Sequence, residues 1–288
     1  MSQFSFLRCR VAMCALAIGM CVPPRALAAP ASESMAERSL RQIVERQKDV
    51  LAHAAAEGDK LDQEALREQA QSIVHEYDRL LAASPNFAPA YAAYGYFLDK
   101  VGMQRESIGM LLKANQLDPD IPLVKNQIGN YLAETGKPIE AAQYYLAAIK
   151  LEPKEPLYHF QLGKLLTLGR DTFLKSGEWT RAAIDKSLYN AFKQAHELAP
   201  DKFDYAYAYA QCFYDLQEPN WDEALKAWGE LEEKAQTPLE RQTMRLHAAN
   251  VLIKQGKLDH AKTLLDTVTE PELQAQKSKL LPQLGGKQ

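Results

Sequence analysis

Residues 88–121, APAYAAYGYFLDKVGMQRESIGMLLKANQLDPDI, and residues 122–155, PLVKNQIGNYLAETGKPIEAAQYYLAAIKLEPKE, align end to end without a gap. Gly95 pairs with Gly129, Gly102 with Gly136, Ala114 with Ala148, Leu117 with Leu151 and Pro119 with Pro153, each 34 residues apart. The interval extends outward, to Pro85 on one side and Gly163 on the other. A fixed period of this length marks a solenoid, in which each unit buries its apolar face against its neighbours. Each repeated position has a physical task. A small residue at Gly95 or Gly129 lets two helices approach closely, as Ala114 or Ala148 does on the partner helix. Gly102 and Gly136 supply the tight turn between those helices. Pro119 and Pro153 stop the second helix, because proline cannot extend the hydrogen-bond ladder.

These residues resemble the tetratricopeptide-repeat pattern, W-x2-L-G-x2-Y followed by A-x3-F and a closing P. In 88–121 the first-helix slots hold Tyr91, Tyr94-Gly95 and Leu98, followed by Ser107, Leu111, Ala114 and Pro119. In 122–155 the matches are Ile128-Gly129, Leu132, Ala141, Tyr145, Ala148 and Pro153. The resemblance implies an all-α solenoid of antiparallel helix pairs wound as a right-handed superhelix, with the first helices lining a concave groove.

The third unit, 156–202, opens in register with His159, Leu162-Gly163 and Leu166, but its Phe192, Ala195 and Pro200 come 13 residues late. Either both helices are longer and meet at Lys175-Ser176-Gly177, or the added stretch projects as a partner-contacting loop. Units 203–241 and 242–273 are degenerate: alanine replaces glycine at the crossing (Ala210, Ala249) and the closing proline is missing. Upstream, 29–87 reads as a diverged hairpin or cap, opened by a Ser34-x-x-Glu37 capping box and ended at Ser84-Pro85. Downstream, Thr269-x-x-Glu272 with Pro271 signals a last helix within 274–288, ahead of a disordered tail.

Residues 1–28 read as a secretory signal, with Arg8 and Arg10, the apolar run Val11 to Val22, and Ala26-Leu27-Ala28 before cleavage at Ala29. Export is the expectation, into the periplasm or else to a secreted or envelope-associated state. Cleavage removes three of 34 basic residues and no acids, leaving 31 against 37 acidic, a net charge of −6. That balance argues against nucleic acid or an anionic membrane surface as partner. No apolar run after the signal is long enough to span a bilayer. Cys9, Cys14 and Cys21 leave with the signal, so Cys212 has no cysteine to pair with and reads as a small buried hydrophobe.

Chemistry is sparse. The six histidines form no H-x-x-x-H pair, and C-x-x-C, G-x-G-x-x-G, P-loop and G-x-S-x-G patterns do not occur. No catalytic, metal or cofactor residue is expected, and no enzyme activity. The densest aromatic run is Tyr205, Tyr207, Tyr209, Phe213 and Tyr214. Helical spacing puts Tyr209 and Phe213 on the packing face and Tyr207 with Tyr214 on another. From the family mapping, the residue after each crossing faces the groove: Tyr96, Asn130, Lys164, Gln211 and Asn250, with Asn126 one turn before Asn130. Amides both donate and accept, so such a ladder can hold a peptide main chain, or can simply be a solvated surface. The family's two-carboxylate clamp is echoed only in part, since Ala92 stands where its first lysine belongs. The reading is an exported scaffold or adaptor binding a protein or peptide. The alternatives are an accessory subunit of an envelope enzyme and a self-associating structural subunit.

Overall fold

A computed structural model describes residues 33–58 and 62–285; residues 1–32, where the signal and its cleavage site are expected, 59–61 and 286–288 lie outside them. Among the described residues there are fourteen α-helices and no strand. The chain forms two compact units, one up to Gln127 and the other from Ile128.

The first unit contains α1 (Met35–Glu57), α2 (Gln63–Ala83), α3 (Ala88–Lys100), α4 (Gln104–Leu117) and the start of α5 (Pro122–Glu134). Ser34 and Glu37 cap α1 reciprocally, each side chain bonding the other's backbone N–H. Asp62 caps α2 by accepting from the N–H groups of Glu64 and Ala65. Tyr77 organises this core: its ring stacks on Tyr94 at 4.8 Å, and its hydroxyl donates to buried Gln47 at 2.6 Å.

The second unit continues α5 into α6 (Pro138–Leu151), α7 (Pro156–Leu168), α8 (Arg170–Ser176) and α9 (Arg181–Leu198). Then come α10 (Phe203–Cys212), α11 (Trp221–Lys234), α12 (Pro238–Lys254), α13 (Leu258–Asp266) and α14 (Gln274–Leu280). Its core runs through Leu166, Phe173, Ile184, Leu188, Phe213 and Trp228, all fully buried.

The repeated glycines are explained by what surrounds them. A Cβ on Gly95 would lie 2.7 Å from Leu111, one on Gly129 2.8 Å from the Tyr145 ring, and one on Gly163 2.7 Å from Phe192. Only a residue without Cβ permits these crossings. Gly136 has φ 78°, a left-handed turn that a side chain would strain.

The insertion takes a third form. α7 stops at Leu168, α8 forms a separate helix closed by Gly177 at φ 75°, and Thr180 then caps a long α9. Helix α8 packs back on α6, α7 and α9, with Phe173 buried edge-to-face against Trp179. Arg181 donates to the Asp215 carbonyl and pairs with Asp185, whose other oxygen accepts from the Gln217 N–H. The insertion thereby ties the third unit to the turn that closes α10.

Two helix starts differ from the sequence pattern. Helix α12 begins at Pro238, ahead of Gln242, because Thr237 and Glu240 form a capping box. The box expected at Thr269 does not form. Gln242 accepts from the N–H groups of Thr269 and Glu270, and residues Pro271–Leu273 make a 3₁₀ turn before α14.

Candidate functional site

In the first unit, Tyr96 is partly exposed on α3, with the Lys100 ammonium 5.2 Å from its ring centroid. Asn126 is only 1 % exposed, and neither atom of its amide has a hydrogen-bond partner among the described residues. Its side chain is packed into the protein. The expected ladder of accessible amides therefore lacks this rung: i, i+4 spacing puts Asn126 on the side of Asn130 but says nothing of burial.

In the second unit, Asn130 is partly exposed and its Oδ1 accepts from the Tyr145 hydroxyl at 2.7 Å. That bond crosses from α5 to α6 directly over Gly129, so Asn130 helps to hold the hairpin. Lys164 is exposed on α7, with its ammonium 5.6 Å from the Phe160 ring centroid. Gln211 is exposed near the end of α10, and Asn250 is partly exposed on α12.

Tyr207 and Tyr214 do come together, though not by helical spacing alone. Helix α10 ends at Cys212, and Tyr214 sits in the 3₁₀ turn Phe213–Asp215. Both rings meet Trp228 of α11, Tyr207 edge-on at 5.3 Å and Tyr214 tilted at 6.3 Å. His247 of α12 completes the cluster, stacked on Trp228 at 4.1 Å and 7°. The Tyr214 hydroxyl donates to the His247 carbonyl at 3.0 Å, and the Tyr207 hydroxyl lies 3.4 Å from His247 Nε2. Burial pulls the His247 imidazole down to about 4, so it is neutral at pH 7. Burial also raises the Tyr214 phenol, against a hydrogen bond with Asn250 that lowers it. These two tyrosines are thus partly buried joints between α10, α11 and α12, with only part of each ring open to solvent.

A second polar cluster has little trace in the sequence beyond the i, i+4 spacing of Tyr189 and Lys193. Glu223, in the first turn of α11, accepts from the hydroxyls of Tyr189 at 2.7 Å and Tyr209 at 2.6 Å, with the Lys193 ammonium at 3.4 Å. Burial pushes the Glu223 carboxyl up, but these donors outweigh it and hold it below its ordinary value. The cluster joins α9, α10 and α11 through one carboxylate.

Cys212 is buried, and desolvation raises its thiol far above neutral pH, so it is not poised as a nucleophile. Among the described residues no group of three or more His, Cys, Asp or Glu side chains is placed to hold a metal. No helix among them is long and apolar enough to cross a membrane.

Residues 124–155 match the tetratricopeptide-repeat family model. No curated protein sequence matches the chain. Among solved structures, YrrB, described as a TPR protein with an unusual peptide-binding site, is similar at a TM-score of 0.55 and 17% identity. That match covers 67% of this chain and 90% of YrrB. PilF from Pseudomonas aeruginosa is similar at a TM-score of 0.51 and 16% identity, over 84% of this chain and 99% of its own. A Naa15/Naa10 assembly bound to HypK matches at 0.55 and 15% identity over 88% of this chain, which spans only 34% of that longer one. At these identities the likeness is one of fold.

Proposed function

We propose, from a tetratricopeptide-repeat match at residues 124–155 and a fold shared with repeat proteins, that the chain works as a protein-interaction scaffold and that its second unit binds an extended polypeptide along the first helices of its hairpins. The observation that carries this reading is recurrence. On α7, α10 and α12 the residue following the tight crossing is Lys164, Gln211 or Asn250, exposed or partly exposed in every case. Of the three, Asn250 also contacts Tyr214, and the Lys164 ammonium lies over the Phe160 ring of its own helix. Amide and ammonium groups at the matching position of successive first helices suit a main chain, whose carbonyls and N–H groups also recur. Tyr207 and Tyr214 border the row with rings already fixed by Trp228, and a pre-ordered aromatic surface costs little entropy on binding. A TPR protein with a peptide-binding site is among the structures of similar fold, which supports the reading by analogy only.

The proposal includes export. The arginines at 8 and 10, the apolar run and Ala26-Leu27-Ala28 support it. The periplasm is the compartment we favour.

The test is affinity capture from an envelope fraction on immobilised wild type and on the double variant Lys164→Glu/Gln211→Ala. Both positions are exposed, so the fold should survive, as circular dichroism would check. A polypeptide retained by wild type and lost by the variant supports the row as the binding surface. Equal retention by both moves binding elsewhere.

A further inference from the structure

Five residues after the close crossing on each first helix, four units carry a charged side chain: Lys100, Glu134, Asp215 and Lys254. In the third unit the same position is Leu168, the last residue of α7, and it is 82% exposed. A lone exposed leucine needs no explanation in itself. Here the other units supply the comparison, since none of them needs an apolar side chain at this place in order to pack. Leu168 takes no part in the core that Leu162, Leu165 and Leu166 of the same helix enter.

The end of α7 is also firmly held. The Gly169 N–H bonds the Leu165 carbonyl at 2.8 Å, and a Cβ on Gly169 would lie 3.1 Å from both Phe173 and Pro138. Helix α8 is thus pressed against the end of α7, and Leu168 is presented from a fixed backbone, which limits the entropy lost on binding.

Its place relative to Lys164 decides what it meets. Phe160, Lys164 and Leu168 follow at i, i+4 and i+8, so they share one side of α7. Lys164 is the only Lys, Arg, Asp or Glu of α7, and it makes no ion pair among the described residues. An ammonium only donates, so it takes a carbonyl or carboxylate oxygen from a partner. One turn back, the Phe160 ring is already occupied. It packs on Tyr205 at 4.8 Å and on Phe192 at 6.0 Å, with the Lys164 ammonium over it. One turn forward, Leu168 is open. Four residues of helix rise about 6 Å, within reach of a side chain on a main chain held at Lys164.

We propose that Leu168 sets a sequence preference for the polypeptide held along the row. The partner carries a large apolar side chain next to the carbonyl that meets Lys164, and that side chain lies on Leu168. This rests on the reading that Lys164, Gln211 and Asn250 hold a main chain, and it assigns the choice of partner sequence to the third unit.

A random peptide library tests it, selected in parallel on the immobilised mature chain, on Leu168→Lys and on Lys164→Glu/Gln211→Ala. Lysine stands at the matching position at 100 and 254, so Leu168→Lys should melt at the wild-type temperature. Wild type should enrich peptides with a large apolar residue at one fixed position. Leu168→Lys should lose that preference, and the double variant should enrich none of these peptides. An enriched peptide remade with serine at the apolar position should bind wild type about tenfold more weakly, the scale of an interface anchor. Against Leu168→Lys the same change should make no difference. Peptides lost on the double variant but unchanged in composition on Leu168→Lys would overturn this inference and leave the row standing. Peptides retained on the double variant, or no enrichment at all, would overturn both. A lowered melting temperature of Leu168→Lys would make Leu168 a packing residue and overturn the inference as well.

Discussion

Gly129 shows how a single residue carries the architecture. Its missing Cβ is what allows the Tyr145 ring to lie across α5 and bond Asn130. Gly129→Leu should therefore cost more than about 2 kcal/mol, within the range for forced overpacking. Gly109 is the control, a mid-helix glycine of α4 with open space where a Cβ would point. Gly109→Ala should be neutral or stabilise by up to about 1 kcal/mol through helix propensity. Urea midpoints of the two variants, moving in opposite directions, would confirm the assignment; equal losses would contradict it. Asn126 gives a complementary case. A buried amide with no partner costs roughly 1–3 kcal/mol, and an apolar residue of similar shape recovers part of that. Asn126→Leu should raise the melting temperature, and a lowered one would show that the amide has a partner after all. The sequence located the glycines because a 34-residue echo states which positions tolerate no side chain. It could not place Asn126, since i, i+4 spacing fixes a side of a helix and leaves open what packs over that side.

At the scale of elements, hairpins are joined by polar and aromatic clusters that the repeat pattern does not contain. Glu223 ties three helices, and Glu223→Leu strands the hydroxyls of Tyr189 and Tyr209; the loss should be roughly 1.5–3 kcal/mol, as for hydrogen bonds to a charged group. The aromatic cluster makes a pH prediction. His247 has a folded pKa of about 4, below the ordinary histidine value. The unfolded chain therefore binds the extra proton first as pH falls, so stability from the neutral imidazole is full above about pH 6.5 and is lost progressively down to about pH 4. Chemical denaturation across that window should show a slope that His247→Gln reduces. An unchanged slope would remove His247 as its source. Of the aromatic cluster only the pairing of Tyr207 with Tyr214 was readable beforehand, and of the Glu223 cluster only the spacing of Tyr189 and Lys193, because each joins residues from three helices whose register is set by packing. The start at Ser34 was legible in its capping box, whereas α12 begins at a Thr237–Glu240 box ahead of the expected Gln242. At Thr269 the side chain of Gln242 took the backbone donors instead.

For the whole molecule, the period established an all-α chain of helical hairpins, and function must come from surfaces carried on that frame. The export expectation is checked by N-terminal sequencing of protein recovered from the envelope. It should begin at Ala29, and a chain beginning at Met1 would contradict cleavage. The central claim is that the first-helix row of the second unit holds a polypeptide. A photo-reactive amino acid placed at Gln211 in the living cell tests it most directly, against the same group at Lys226, an exposed position on α11. The account predicts a discrete cross-linked polypeptide from position 211 that is lost in the Lys164→Glu background, and none from position 226. Cross-linking from 226 alone, or equally from both, would contradict it.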